Sequence, residues 1–197
     1  MFNKKFKSIL LGVLILSITL AFSGNIANAA GTNGWKSSGN SWYYYVNGKM
    51  KTNAWVQDSF KLWYYMGSNG VMKTNSWVQD SAKTWYFMGS NGAMKTGWVN
   101  TGGKWYYMKS NGAMKTGWLS SGGKWYYMNT SGSMVASKWI VSGGKNYYMN
   151  AGGDMAVNTK TPDNFFVGAD GAWDGKPAGG DDSDDSNSES FNVISIE

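Results

Sequence analysis

The 197-residue sequence has no cysteine, no histidine and no arginine, and only two prolines. Without cysteine there is no disulfide framework, thiolate nucleophile or cysteine zinc site. Without histidine there is no Ser-His-Asp triad and no imidazole metal ligand. Without arginine the chain lacks the forked donor that does most base reading, which argues against specific nucleic-acid recognition. Charged residues make up only 15% of the chain, low for a globular surface, whereas aromatics reach 16% with 12 Trp and 12 Tyr. The length allows one ordinary domain, and so many rings demand a use beyond a standard core.

The N-terminus reads as a targeting segment. Lys4, Lys5 and Lys7 precede an apolar run from Ile9 to Phe22, and Ala27-Asn28-Ala29 forms a small-residue cleavage pattern. This order predicts a secretory signal peptide over 1–29. The run is shorter than the roughly 20 apolar residues that span a bilayer, so the expectation is an exported protein with no stable membrane anchor after cleavage. The remaining charge is divided. Residues 30–176 hold 15 Lys and 6 Asp, a net of +9, while 177–197 hold 4 Asp, 2 Glu and no base, a net of −6. The Gly-, Asp- and Ser-rich segment GGDDSDDSNSES predicts a disordered acidic tail over 176–197. The short apolar stretch Phe191 to Ile196 reads as a frayed end.

Between these ends the sequence repeats. Trp98 begins WVNTGGKWYYMKSNGAMKTG, Trp118 begins WLSSGGKWYYMNTSGSMVASK, and Trp77 and Trp55 begin close variants. The leading tryptophans are Trp35, Trp55, Trp77, Trp98, Trp118 and Trp139, spaced 20, 22, 21, 20 and 21 residues apart. NFFVGADGAW, from Asn164 to Trp173, aligns with WYYMKSNGAM as a degenerate last copy, so the array fills 30–175. Units this short cannot bury a core alone and must stack on their neighbours.

Each unit predicts a β-hairpin. Trp98-Val99-Asn100 and the aromatic run from Lys104 to Lys109 are strand-like, and Thr101-Gly102 or Gly102-Gly103 supplies a two-residue turn. Either turn places Trp98 on the face of Trp105 and Tyr107, because residues two apart share a face. Tyr106 and Met108 take the other face and are expected to be core. The units at Trp55 and Trp77 carry one extra residue, which a three-residue turn absorbs. The fold class expected is all-β, a solenoid of stacked hairpins, with one face buried between units and the other offering rings.

Aromatic walls with little charge suit a quaternary ammonium held by cation–π attraction, choline being a standard example. They also suit a sugar ring stacked on Trp. Single-stranded nucleic acid would stack as well but calls for a basic groove with Arg. The pattern GW-x₅₋₇-WYY-M-x₂-NGAM-x-TGW resembles the choline-binding, or cell-wall-binding type 1, repeats of Gram-positive surface proteins and phage lysins. The resemblance covers Trp35 to about Trp173. It implies a left-handed β-solenoid whose ligands sit between successive hairpins in boxes of three aromatics with a methionine at the edge. It further implies that the ligand is the choline of teichoic or lipoteichoic acid. Carried onto this chain, the box rings are Trp55, Trp63, Trp77, Trp85, Trp98, Trp105, Trp118, Trp125 and Trp139. Tyr65, Phe87, Tyr107, Tyr127 and Tyr148 are the third walls, and Met72, Met94, Met114 and Met134 the edge residues. Related repeats bind glucan or cell-surface oligosaccharides, and that alternative stays open.

Asn146 replaces the second Trp of the sixth unit, which puts a box there in doubt. The first unit is one residue shorter, with Tyr45 at the methionine slot, and the last copy reads as a cap. No catalytic domain is left over, and Asp58, Asp80 and Asp154 sit in turn-like positions without a burying pocket. The reading is therefore a non-enzymatic, cofactor-free wall-binding protein, secreted and wall-associated. Service as the targeting module of a wall hydrolase, and self-association through terminal repeats, are left open.

Overall fold

The computed structural model describes residues 31–177. The expected signal peptide and the acidic tail beyond 177 lie outside the described residues. Every element within them is a β-strand. The first sheet joins β1 (Gly34–Ser38), β2 (Ser41–Val46) and the short β3 (Lys49–Met50). Five two-stranded hairpins follow. They are β4 (Ala54–Gln57) with β5 (Trp63–Met66), β6 (Ser76–Gln79) with β7 (Trp85–Met88), and β8 (Gly97–Thr101) with β9 (Lys104–Met108). Next come β10 (Gly117–Ser121) with β11 (Lys124–Met128), and β12 (Lys138–Ser142) with β13 (Lys145–Met149). A last three-stranded sheet of β14 (Thr159–Lys160), β15 (Phe165–Val167) and β16 (Trp173–Pro177) closes the array.

The turns fix the register. Gly102 and Gly103 both adopt left-handed φ, 58° and 72°, as a two-residue hairpin turn with both centres left-handed requires. Of the two turns the sequence allowed, this one pairs Thr101 with Lys104 and sets Trp98 opposite Tyr107. In the longer repeats the Asp58 N–H donates to the Leu62 carbonyl and the Lys61 N–H to the Asp58 carbonyl, enclosing three residues. Lys61 takes the left-handed conformation (φ 66°), which is how a three-residue loop absorbs its odd residue. Trp55 thereby faces Tyr65, and Trp77 faces Phe87 through the same device at Asp80 to Thr84.

The hairpins are separate sheets, so side chains and a few linker hydrogen bonds hold one to the next. The strand methionines Met66, Met88, Met108, Met128 and Met149 are fully buried at 0% exposure, as expected of that face. Val99 and Met108 of the β8–β9 hairpin pack with Phe87, and with Trp77, of the hairpin before. The Tyr/Met face of one unit thus meets the Trp face of its predecessor. The expected division into one buried face and one ring-bearing face gives way to a single shared junction, because a thin hairpin has to cover both of its sides.

The linkers lock each junction. The Met94 N–H donates to the Trp63 carbonyl at 2.7 Å, Met114 to Trp85 at 2.8 Å and Met134 to Trp105 at 2.8 Å, with Met72 to Trp42 and Met155 to Trp125 alike. Gly70, Gly92 and Gly112 of the Asn-Gly turns each sit under a methionine of the preceding unit, Met50, Met72 and Met94. A Cβ on Gly112 would overlap the Sδ and Cε of Met94, and its φ of +81° is left-handed as well. Glycine is required there on both counts.

Candidate functional site: a row of aromatic clusters

The register turns the hairpin pattern into a repeated ring arrangement. Trp98 makes edge-to-face contact with Trp105 (centroids 6.2 Å, 85°) and with Tyr107 (5.3 Å) of its own hairpin. It also meets Tyr126 of the next hairpin at 4.9 Å. These separations and angles are those that ring quadrupoles favour. The Met134 amide bonded to the Trp105 carbonyl brings the next unit's linker methionine beside the same group. A junction therefore gathers Trp98, Trp105 and Tyr107 from one unit with Tyr126 and Met134 from the next.

The arrangement recurs along the chain. Trp55 meets Trp63, Tyr65 and Tyr86 at 6.5, 5.2 and 5.0 Å. Trp77 meets Trp85, Phe87 and Tyr106 at 6.4, 5.1 and 4.8 Å. Trp118 meets Trp125, Tyr127 and Tyr147 at 6.2, 5.2 and 5.0 Å. The first unit, despite its shorter motif, does the same: Trp35 meets Trp42, Tyr44 and Tyr64 at 6.4, 5.1 and 4.9 Å. In each cluster the leading Trp is part-buried, whereas Trp63, Trp85, Trp105 and Trp125 keep 40–48% of their surface open. Those four are the rings an incoming molecule reaches first.

Three placements differ from the sequence reading. The middle tyrosines Tyr64, Tyr86, Tyr106, Tyr126 and Tyr147 were expected as core. They are only part-buried, and each supplies the ring that crosses the junction. The signal for this was available, since the Tyr/Met face must pack on something and the Trp face is all that the neighbour offers. Second, Tyr65, Phe87, Tyr107 and Tyr127 stand directly opposite their own leading Trp in register, as backing rings; Phe87 is buried. Third, Trp139 is only 8% exposed and packs against Tyr148, Phe165 and Trp173. Its indole N–H donates to Asp163 at 2.6 Å. With Asn146 at the second-Trp position, Trp173 of the cap closes this junction from within.

Three family profiles match this chain. A choline-binding repeat profile covers 133–173, a second choline-binding repeat profile covers 95–139, and a putative cell wall binding repeat profile covers 33–50, 53–72 and 75–94. This chain belongs to the choline-binding repeat family. Choline binding protein F from Streptococcus pneumoniae is 42% identical, with a TM-score of 0.59 over 72% of this chain and 47% of that one. CbpJ from the same organism is 42% identical, with a TM-score of 0.61 over 72% of this chain and 48% of that one. The chain thus spans about half the length of these two relatives. The choline binding domain of Spr1274, also pneumococcal, is 44% identical and is matched over 94% of its length by 40% of this chain. No curated protein matched the chain.

Polar groups around the choline-binding repeats hold the rings in place. The Trp98 indole N–H donates to Ser121 Oγ at 3.2 Å and that of Trp118 to Ser142 Oγ at 2.9 Å, both in the next hairpin. The Tyr64 hydroxyl donates to Asp58 Oδ2 at 3.0 Å and the Tyr86 hydroxyl to Asp80 Oδ2 at 3.1 Å. Burial, then the bond to Asp58 and its charge, push the Tyr64 hydroxyl up to about 12. The same causes raise Tyr86. Lys124 bridges to Asp154 and Lys145 to Asp170, both at 3.1 Å, tying turns to the linkers of following units. Among the described residues no three acidic side chains converge as a metal site.

Proposed function

We propose that this protein is a non-catalytic cell-wall-binding protein. In this reading its junctions between successive hairpins hold the choline groups of teichoic or lipoteichoic acid. The observation that carries it is the recurring junction: a part-buried leading Trp, a second Trp that is open in four of the five, and a Tyr from the next unit. A quaternary ammonium cannot donate hydrogen bonds, so ring faces are the natural partners for it, at about 0.5–2 kcal/mol per well-placed ring. Choline binding protein F, solved in complex with ipratropium, itself a quaternary ammonium, supports the same class of guest. The binding set inferred for the junctions is Trp35, Trp42 and Tyr64; Trp55, Trp63 and Tyr86; Trp77, Trp85 and Tyr106; Trp98, Trp105 and Tyr126; and Trp118, Trp125 and Tyr147. Met72, Met94, Met114, Met134 and Met155 stand at the respective edges. Weak sites on one polymer add through effective concentration, so wall attachment needs no tight single contact. The basic start of the chain and its small-residue cleavage pattern support a location outside the cell.

The test is a tryptophan-fluorescence titration of the full chain with choline, tetramethylammonium and glucose oligomers. Saturable change with both cations, weakened by Trp105→Ala, is the expected result. A response to the oligosaccharide alone would replace choline by a glucan. Clearing of purified cell wall in a gel overlay by the pure protein would overturn the non-catalytic assignment.

A further inference from the structure

The five clusters from Trp35 to Trp118 are alike in their rings but differ in what stands behind the tyrosine. In the first, the Tyr64 ring faces Trp35 at 4.9 Å while its hydroxyl donates to Asp58. In the second, the Tyr86 ring faces Trp55 at 5.0 Å while its hydroxyl donates to Asp80. Tyr106, Tyr126 and Tyr147 occupy the same place in the other three. Among the described residues no carboxylate accepts from their hydroxyls.

The difference originates in the turns. The three-residue turns begin with Asp58 and Asp80, whose Oδ1 atoms accept turn N–H groups: Phe60 and Leu62 for Asp58, Thr84 for Asp80. That leaves Oδ2 of each aimed at the tyrosine. The two-residue turns at Gly102-Gly103, Gly122-Gly123 and Gly143-Gly144 have no acid in place of these. Lysine does not account for the contrast, since every one of these turns carries one: Lys61, Lys83, Lys104, Lys124 and Lys145. Behind the tyrosine hydroxyl, the acid is what one set has and the other lacks.

A carboxylate that accepts from a phenol pushes electron density into the ring and adds its own negative field at the ring face. Both strengthen attraction for a cation and do nothing for a neutral guest of the same shape. We propose that Asp58 and Asp80 act as specificity-determining residues. They make the Trp35 and Trp55 clusters selective for cations, while the Trp77, Trp98 and Trp118 clusters bind through their rings alone. This rests on the junctions being the ligand sites proposed above. The array then holds two classes of site in one chain: an N-terminal pair sensitive to ionic strength and a neutral set of three.

The test reads each cluster separately. In the full chain labelled with nitrogen-15, the indole N–H signals of Trp35, Trp55, Trp77, Trp98 and Trp118 are followed during titration with choline and with its uncharged isostere 3,3-dimethylbutan-1-ol. Trp35 and Trp55 should reach half-saturation at about threefold lower choline than the other three. That advantage should shrink in molar salt, where the screening length falls to about 3 Å. It should be absent for the isostere. D58N keeps the acceptor for the turn N–H groups and removes the charge. It should bring Trp35 alone to the level of Trp98, and D80N should do so for Trp55 alone. Equal midpoints in the wild type, or D58N and D80N leaving their clusters unchanged, would overturn the proposal while the choline reading stands. No shift of any indole with choline would overturn both.

Discussion

A leading tryptophan of the five clusters touches three other rings and is part-buried, whereas its partner seven or eight residues on is, in four of them, 40–48% exposed. The two should respond differently to loss. Trp105→Ala should cost one ligand site in a calorimetric titration while lowering the stability of the array by little. Trp139→Ala removes a buried ring from a filled junction and should cost about 3–5 kcal/mol in chemical denaturation, with no site lost. The tyrosines differ as well. Tyr64 is raised to about 12, against about 10 for an unfolded tyrosine. Folding therefore favours its protonated form. That contribution is complete below about pH 10 and fades as the pH rises through about 12. Ultraviolet titration of tyrosinate should show late ionisation from Tyr64 and Tyr86, and Tyr64→Phe should remove the Tyr64 part of it while Tyr86 remains. Residue identity alone did not disclose this behaviour. Asp58 and Asp80 read as isolated turn acids in sequence, because the strand pairing that aims them at a tyrosine six positions on is settled only by the loop geometry.

At the scale of the hairpin, the sequence was legible where the signal was local. The 20–22-residue period, the Gly-Gly turns and side-chain parity gave the strands, and the shared face of Trp98, Trp105 and Tyr107 followed from the pleat. What parity cannot supply is the neighbour. The partner of Trp98 across the junction, Tyr126, lies 28 residues away on a strand face that sequence logic assigned to the core. The first unit's motif is one residue shorter, with Tyr45 at the methionine slot, yet Trp35 and Trp42 form the same cluster, since the Ser38–Ser41 turn still pairs Trp35 with Tyr44. The cap at Trp173 was legible as an atypical copy but not as the ring that fills the last junction. The linker glycine offers a clean check on the inter-unit packing. Gly112→Ala meets both a left-handed backbone and the Met94 side chain, and should destabilise by about 1–3 kcal/mol in urea melts. Gly102→Ala, with open space around its Cβ, should cost less, since only the backbone term applies.

Across the whole molecule, stability is a sum of near-identical junctions, each touching only its neighbours. Excising residues 98–117 in one block should leave a folded protein, because Gly97 then precedes Trp118 and Tyr126 faces Trp77 in place of Tyr106. Circular dichroism should retain the folded signal, and titration should find one site fewer. Affinity for a multivalent choline surface should fall by more than the single site's share, since linked sites multiply rather than add. The cap carries a different consequence. A stack in which each unit's ring face accepts the next unit's Tyr/Met face has two unlike, mutually complementary ends, and copies of such an object join head to tail into open filaments. Phe165 and Trp173 lie over Trp139 and take up the growing end. By occupying its own last junction, the chain covers the ring face that its internal geometry would otherwise offer to a further unit.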